Sequence, residues 1–280
     1  MTQSAPSLLL LIPAYNEEKR IEPVLRDFAT YFRDHYPGRF QLVVVLNGCR
    51  DNTLGIVEGV GREFPTVSAL NFPAPIGKGG ALIEGLRLAT EPATQAELIG
   101  YVDADGATAP RTFHDLAKLV TGDVDCVIGS RWLPGAILHQ SQTKLRRFVS
   151  RCFHFIVECL FWMHVADTQC PGKVMRRAAV EKIHGDLRIS DLSFDVNLLY
   201  ALKRAGYRIK EVPIEWTDIA GSKVTQTLAR SSLVMFLSVV RLRLVHSPFY
   251  KMLKPLRPLE VWIYRKLKNP PPRSGEQRPP

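Results

Sequence analysis

The chain has 280 residues, of which 46% are hydrophobic, and it carries a formal net charge of +10 at pH 7. This length can bury the core of one α/β domain and leaves room for shorter appended segments. The five cysteines are odd in number and include no Cys-x-x-Cys pair, which argues against a disulfide framework and a zinc site and favours free thiols in a reducing compartment.

No membrane-spanning segment is expected. Residues 1–6 are too short and too polar for a signal peptide. The longest uncharged apolar run near the C-terminus is residues 231–240, well short of the ~20 residues that cross a bilayer.

Short apolar runs alternate with segments of helical character over the first half of the chain. The predicted strands are residues 7–13, 41–46, 67–72, 98–102 and 126–130. The predicted helices are residues 18–36, 53–63, 80–90 and 110–120. Apolar strands separated by helices predict a mostly parallel sheet with helices on both faces. In such sheets, ligands bind beyond the carboxyl ends of the strands.

Acidic, basic and glycine-rich segments follow these strands, so they should meet at one edge of the sheet. They are residues 13–17, residues 47–51, the Gly77-Lys78-Gly79-Gly80 loop, Asp103 with Asp105, and Ser130-Arg131. Together they are typical of a site for a metal ion and phosphate groups. Lys78 could cradle a phosphate, although its loop is not a full P-loop and its glycines could simply permit a tight start of the next helix.

Asp103 and Asp105 come directly after the fourth strand. Because side chains alternate along a strand, both carboxylates should point the same way beyond the sheet. Two such charges repel each other unless a cation lies between them, and Mg²⁺ or Mn²⁺ accepts one or two protein carboxylates together with substrate oxygens. The alternative is a solvated turn, because Asp and Gly also favour turns.

The positive charge is concentrated at the C-terminal end. Residues 226–280 contain eleven Lys or Arg and two acids, so they carry +9, whereas the first 225 residues carry +1. Aromatic and aliphatic residues are interleaved with the basic ones at roughly helical spacing, which predicts helices lying on an anionic membrane surface. The less favoured alternatives are packing of the apolar face on the protein core and binding of nucleic acid.

A second apolar segment, residues 148–165, is rich in large aromatic side chains. It is interrupted by Arg151, His154, Glu158 and His164, so it is too polar to span a bilayer. We expect a helix that lies either in the lipid headgroup region or in the protein core.

Seven blocks of sequence stand out between residues 8 and 225. They are Pro13-Ala14-Tyr15-Asn16-Glu17-Glu18-Lys19-Arg20, Gly77-Lys78-Gly79-Gly80-Ala81, Ala104-Asp105-Gly106-Ala107-Thr108, Gly129-Ser130-Arg131, Asp167-Thr168-Gln169-Cys170, Phe194-Asp195-Val196 with Leu198-Leu199-Tyr200, and Trp216-Thr217 with Gly221-Ser222-Lys223. In content and order they resemble glycosyltransferase family 2, and within it the dolichyl-phosphate β-glucosyltransferases and related polyprenyl-phosphate sugar synthases.

The resemblance implies a GT-A fold, Mg²⁺ or Mn²⁺, UDP-glucose as the nucleotide-sugar donor, inversion at the anomeric carbon, and a polyprenyl- or dolichyl-phosphate acceptor. On the donor side, it implies that Pro13, Tyr15 and Glu17 hold the nucleoside. It further implies that Asp103 contacts the ribose or the metal and that Asp105 ligates the metal at the diphosphate.

On the acceptor side, the resemblance implies that Arg131 and Lys223 offer positive charge to the donor diphosphate and the acceptor phosphate, joined by Arg146. A phosphate monoester is largely ionised near neutral pH, so it needs no strong base. Asp195 could orient a sugar hydroxyl or act as a base. Its alternative role is that of an acid at the N-terminus of a predicted helix, residues 193–204.

Three features depart from the family pattern. Asn47, in Leu46-Asn47-Gly48-Cys49, stands where Asp-Asp-Gly-Ser is common, and it can still hydrogen-bond the donor base. Pro171-Gly172 replaces the usual Gly-Phe, which predicts a different loop shape. An N-terminal anchor found in related eukaryotic enzymes is not seen, which favours a prokaryotic polyprenyl phosphate over dolichol.

The sequence therefore predicts a GT-A catalytic domain over residues 1–225, basic amphipathic juxtamembrane helices over residues 226–268, and a disordered Pro-rich tail over residues 269–280. We expect a peripheral enzyme at the cytoplasmic face of a membrane. The alternatives are the same fold with another donor such as GDP-mannose or with a soluble or glycan acceptor, a nucleotidyltransferase, and a non-catalytic membrane adaptor.

Overall fold

The computed structural model describes residues 5–139, 144–189, 191–217 and 228–247. The chain divides into two compact units, Met1–Gly221 and Ser222–Pro280. The described part of the first unit contains two β-sheets and seven α-helices, and the described part of the second contains one helix.

Nine strands form the two sheets. They are β1 (Leu8–Ala14), β2 (Phe40–Asn47), β3 (Val67–Phe72), β4 (Leu98–Tyr101), β5 (Cys126–Ser130), β6 (Ile137–Leu138), β7 (Lys173–Arg176), β8 (Ile209–Pro213) and β9 (Glu215–Trp216). The main sheet has the order β3-β2-β1-β4-β7-β5-β8, and β6 pairs with β9 separately. Every pair in the main sheet is parallel except the two made by β7, which runs antiparallel to β4 and β5. The predicted mostly parallel sheet is confirmed.

Helices cover both faces of this sheet. The α-helices described in the first unit are α1 (Ile21–His35), α2 (Thr53–Glu63), α3 (Lys78–Thr90), α4 (Pro110–Lys118), α5 (Lys144–Phe161), α6 (Arg177–Ile183) and α7 (Phe194–Arg204). α1 packs against α2 and α4, whereas α3 packs against α6 and α7. Along β1, Leu8, Leu10 and Ile12 belong to the core cluster that contains the α1 side chains. Leu11 faces the other way and lies against α3 at Gly85. This alternation explains why β1 is apolar at nearly every position.

The five predicted strands all form, with ends displaced by at most one residue. The helix predicted over residues 18–36 begins only at Ile21, because residues 18–20 form a turn in which the Glu17 carbonyl accepts hydrogen bonds from the Arg20 and Ile21 N–H groups. Strands β6, β8 and β9 were not predicted, and neither was the antiparallel strand β7. Its sequence, Lys-Val-Met-Arg, is short and charged at both ends.

The predicted helix in residues 148–165 forms as α5. Val157 and Phe161 are buried on one side of it, so part of the segment packs in the protein core. Phe148, Cys152, Phe155 and Cys159 are exposed on the opposite side, and exposed Trp162 follows the helix. We call these five residues the α5 stripe.

The second unit contains α8 (Leu228–Val245), within the basic tail singled out in the sequence. None of the described helices is long and apolar enough to cross a membrane. Residues 248–280 lie outside the described residues, so the juxtamembrane helices and the Pro-rich tail stay predictions.

Gly100 in β4 provides a test of the central packing. A Cβ atom at this position would lie 2.6 Å from the Lys173 carbonyl oxygen on β7 and 2.6 Å from Phe113 Cζ on α4. Gly100→Ala should therefore lower the free energy of unfolding by about 1–3 kcal/mol through overpacking. Urea unfolding followed by circular dichroism measures the change. Gly185→Ala, where an added Cβ meets nothing within 4 Å, is the matched control. Equal stability of the two variants would contradict this packing.

Candidate active site at the carboxyl ends of the parallel strands

The segments that follow β1, β2 and β4 each contain a left-handed turn near the carboxyl edge of the sheet, as does the start of α3. The residues with positive φ are Asn16 (54°), Gly48 (65°), Gly77 (84°) and Gly106 (76°). A side chain at Gly48 would also collide with the Pro75 backbone nitrogen, 2.6 Å from an added Cβ. The polar segments predicted to meet at one edge therefore lie in tightly reversed loops.

The loops after β1 and β2 are joined to each other by side-chain hydrogen bonds. The Arg50 N–H donates to Asn16 Oδ1 at 2.8 Å, and the Glu18 N–H donates to Asp51 Oδ2 at 3.1 Å. Tyr15, one of the predicted nucleoside contacts, is 42% exposed beside these bonds, directly after β1. Pro13, another predicted contact, is the penultimate residue of β1 and is half-buried.

Glu17, the third predicted nucleoside contact, is paired with Arg20. Arg20 Nη2 lies 2.9 Å from Glu17 Oε1, and Arg20 Nε bonds the second oxygen of the same carboxylate. The Glu17 hydrogen bond, together with the charges of Asp105 and Asp103, raises the pKa of Arg20 against the effect of burial. Arg20 therefore belongs to the site. It lies in a sequence block that was recognised, but the block gave no reason to single it out.

Asn47 ends β2 and fixes the loop that precedes α3. Its Oδ1 accepts hydrogen bonds from the Ile76 N–H at 2.6 Å and the Gly77 N–H at 3.0 Å. The amide oxygen of Asn47 is therefore hydrogen-bonded to the backbone immediately before Lys78. Contact of Asn47 with the donor base stays a prediction, but the structure gives the residue a second task, which is to set the position of Lys78.

Lys78 and the two acids after β4 form the charged centre of the site. Lys78 Nζ lies 2.6 Å from Asp103 Oδ1, and both side chains are partly accessible, at 27% and 29%. Burial acts to lower the pKa of Lys78, but the charges of Asp103 and Asp195 outweigh it and the pKa is raised. Asp105 Oδ1 accepts a hydrogen bond from the Ala107 N–H at 3.0 Å.

The positive charge of Lys78 and Arg20 does not offset the burial of Asp105 and the charge of Asp103. Burial and, after it, the charge of Asp103 raise the pKa of Asp105 above its usual value. Within residues 5–139, 144–189, 191–217 and 228–247, no three His, Cys, Asp or Glu side chains group as a metal site. Two carboxylates are nevertheless the protein ligands that Mg²⁺ or Mn²⁺ uses when substrate phosphates complete the coordination. The residues present therefore fit a divalent cation that binds together with a diphosphate.

Asp195 lies in the first turn of α7 and is 3% exposed. Its Oδ1 accepts hydrogen bonds from the Tyr101 hydroxyl at 2.5 Å and from Lys173 Nζ at 2.6 Å. Both donors are fully buried. Asp195 thus joins α7 to β4 and β7 beneath the site. Its role as a base or sugar contact stays a prediction, and two protein donors already engage this carboxylate oxygen.

Arg131, directly after β5, is held by a buried carboxylate. Its Nε and Nη2 lie 2.7 and 2.9 Å from the oxygens of Asp167, and its guanidinium stacks over the Trp216 ring at 5.1 Å. Burial favours the neutral forms of both groups, but their mutual hydrogen bonds raise the pKa of Arg131 and lower that of Asp167. The charge of Arg131 is therefore largely balanced within the protein, which the sequence did not reveal.

Two predicted acceptor contacts cannot be located in the same way. Lys223 lies outside the described residues. Arg146 lies in the first turn of α5, where the side chains are outside the described part of the structure. Their proximity to a phosphate stays a prediction.

Comparisons with known proteins agree with this architecture. The sequence profile of Glycosyl transferase family 2 matches residues 10–184. A dolichyl-phosphate beta-glucosyltransferase of Trichomonas vaginalis is 32% identical over 223 residues, which cover 76% of this chain and 65% of the length of that relative. The dolichyl-phosphate beta-glucosyltransferase of Saccharomyces cerevisiae is 29% identical over 262 residues, which cover 85% of this chain and 75% of that protein.

A solved structure supports the fold. Glucosyl-3-phosphoglycerate synthase from Mycobacterium tuberculosis, in complex with Mn²⁺, uridine diphosphate and phosphoglyceric acid, matches with a TM-score of 0.63 at 16% sequence identity. The match covers 86% of this chain and 80% of that chain. The fold is therefore GT-A, and the chain belongs to glycosyl transferase family 2.

Proposed function

We propose that this protein is an inverting glycosyltransferase that moves glucose from UDP-glucose to a polyprenyl phosphate at a membrane surface. The observation that carries the proposal is the charged centre formed by Asp103, Asp105 and Lys78 at the carboxyl ends of the parallel strands. The similar proteins named above are dolichyl-phosphate beta-glucosyltransferases, and this activity supports the choice of sugar and acceptor class.

On the donor side, the side chains supply both signs of charge. Asp103 and Asp105 would hold Mg²⁺ or Mn²⁺, which when bound neutralises the diphosphate and stabilises the leaving group. Lys78 and Arg20 add positive charge at the same edge of the sheet. Tyr15 offers an exposed aromatic ring beside them, suited to stacking on the nucleoside base.

On the acceptor side, the chemistry needs positive charge more than it needs a base. A phosphate monoester with a second pKa near 6 is largely ionised at neutral pH and is already a nucleophile. This agrees with an Asp195 whose Oδ1 is engaged by Tyr101 and Lys173. The acceptor must instead approach a negatively charged leaving group, so Lys78 and, by prediction, Lys223 and Arg146 would offset the repulsion.

The α5 stripe supports action at a membrane surface. Phe148, Phe155 and Trp162 are 65%, 69% and 70% exposed, which is unusual for such large apolar side chains. Exposed Arg147 and Arg151 flank them. An aromatic face bordered by arginines is complementary to the interface of an anionic bilayer. We propose that α5 rests on the bilayer that holds the acceptor.

The backbone turn that follows α5 keeps the Trp162 side chain exposed to solvent. Trp162 has a φ of 48° and His164 a φ of 57°, a conformation that bulky residues rarely adopt. The Glu158 carboxylate accepts a hydrogen bond from the His164 N–H, and Lys203 Nζ donates to the Trp162 carbonyl. A strained backbone that keeps an aromatic ring in solvent favours a functional role for that ring.

Asp105→Asn tests the donor site. The change replaces a charged cation ligand with a weakly binding neutral group of the same shape, so release of UDP from UDP-glucose in the presence of Mn²⁺ and polyprenyl phosphate should fall by at least about 100-fold. The midpoint of unfolding of Asp105→Asn should stay equal to that of the wild type. Asp115→Asn, which removes an exposed carboxylate on α4, is the control and should keep full activity. Wild-type activity in excess chelator, or full turnover by Asp105→Asn, would contradict the proposed metal site.

Replacing two aromatic residues of the α5 stripe tests the membrane contact. The Phe155→Ser, Trp162→Ser double variant should bind anionic phosphatidylglycerol vesicles at least about tenfold more weakly in co-sedimentation, because each buried aromatic contributes about 1.5–3 kcal/mol. Glu58→Ser, at an exposed position of α2, serves as control. Unchanged vesicle binding by the double variant would show that α5 does not rest on the bilayer.

A further inference from the structure

We propose that Lys78 is an exchangeable counterion of the donor site. In the free protein it neutralises Asp103, and it moves to the diphosphate oxygens when the nucleotide binds together with a divalent cation. The cation and the nucleotide should therefore bind cooperatively, with Lys78 as the positioning residue that couples them. This inference rests on the proposed donor chemistry and adds to it an explanation of how the charge of Asp103 is balanced before the donor arrives.

The backbone beneath Lys78 is fixed from both sides. Asn47 Oδ1 accepts the N–H groups of Ile76 and Gly77, and Gly77 takes the left-handed φ of 84° immediately before the helix begins. One residue further on, a Cβ atom at Gly79 would lie 2.5 Å from the Ile189 carbonyl oxygen, so this turn packs directly against a neighbouring backbone. The first turn of α3 is therefore closely packed, and we expect any movement of the ammonium to come from the flexible lysine stem.

The lysine ammonium and a metal cation compete for the same carboxylate. Lys78 Nζ lies 2.6 Å from Asp103 Oδ1, within direct ion-pair distance. A cation that binds Asp103 without a nucleotide must break this pair and leave an unpaired ammonium next to a double positive charge. A diphosphate removes that penalty, because its oxygens give Lys78 a new partner close to its fixed backbone position.

The other nearby cations are less able to exchange. Both Nε and Nη2 of Arg20 are bound to the Glu17 carboxylate. Lys173 is buried against Asp195 and the Cys170 carbonyl. Lys78 combines a direct bond to a predicted metal ligand with partial solvent access, since 27% of its side chain is exposed.

Binding measurements on the full chain test this coupling. Mn²⁺ affinity is measured by electron paramagnetic resonance with and without UDP, for the wild type and for Lys78→Met, a variant of similar length without the charge. We expect UDP to tighten Mn²⁺ binding to the wild type by about tenfold or more. Lys78→Met should bind Mn²⁺ alone about tenfold more tightly than the wild type does, and UDP should enhance this binding much less.

Two further variants separate the proposed exchange from a general effect of charge. Lys78→Arg keeps a cation that can reach Asp103 and should retain cooperative binding. Lys118→Met removes a lysine that forms a similar ion pair with Asp115, at 3.0 Å on the surface of α4, and should leave both affinities unchanged. Circular dichroism confirms that each variant is folded.

The outcomes distinguish this inference from the proposed function. If Lys78→Met binds Mn²⁺ alone no more tightly than the wild type does, the counterion proposal is wrong, and this comparison needs no nucleotide. If the wild type fails to bind UDP even with Mn²⁺, the proposed UDP-sugar donor is contradicted instead. UDP that enhances Mn²⁺ binding equally in the wild type and in Lys78→Met would also overturn the role of Lys78.

Discussion

The site depends on two carboxylates held close together at the end of a buried strand. Burial and, after it, the charge of Asp103 raise the pKa of Asp105, as expected for two carboxylates that share a partly desolvated environment. Such a pair is costly unless positive charge is supplied. In the free protein the charge comes from Lys78, bonded to Asp103, and from Arg20 nearby. In the proposed function, the pair receives further positive charge from a cation that brings its own phosphates.

Two buried carboxylates near the site, those of Asp195 and Asp167, are each paired with a basic side chain. Asp195 is bonded to Lys173 and Tyr101, and Asp167 holds Arg131 through three hydrogen bonds, one from the backbone N–H of Arg131 and two from its guanidinium. These buried groups form a rigid frame, because separating either pair would leave a desolvated charge without a partner. Lys78 differs from them because it is partly exposed and stands on a turn that Asn47 fixes. In the proposed exchange, this frame would stay fixed while the Lys78 side chain changes partners.

The sequence was sufficient for the parallel strands β1 to β5 and for the candidate functional edge of the sheet, but it did not predict the parallel strand β8. Apolar runs and turn residues located β1 to β5, and the end of β4 located Asp103 and Asp105. The antiparallel strand β7 was missed because its pairing with β4 and β5 depends on contacts distant in sequence, and its Lys173 is charged although it is buried. Arg20 and the balanced charge of Arg131 were missed for a related reason. A sequence motif identifies a basic residue but not the carboxylate that pairs with it.

The most direct test of the account is the transfer reaction itself. The full chain, with Mn²⁺ and polyprenyl phosphate in anionic vesicles, is supplied with UDP-glucose labelled in the sugar, and the lipid and water-soluble products are separated. The account predicts label in a polyprenyl-phosphate glucose and stoichiometric release of UDP. Transfer only from GDP-mannose or only to a soluble acceptor would contradict it, and release of pyrophosphate would indicate a nucleotidyltransferase.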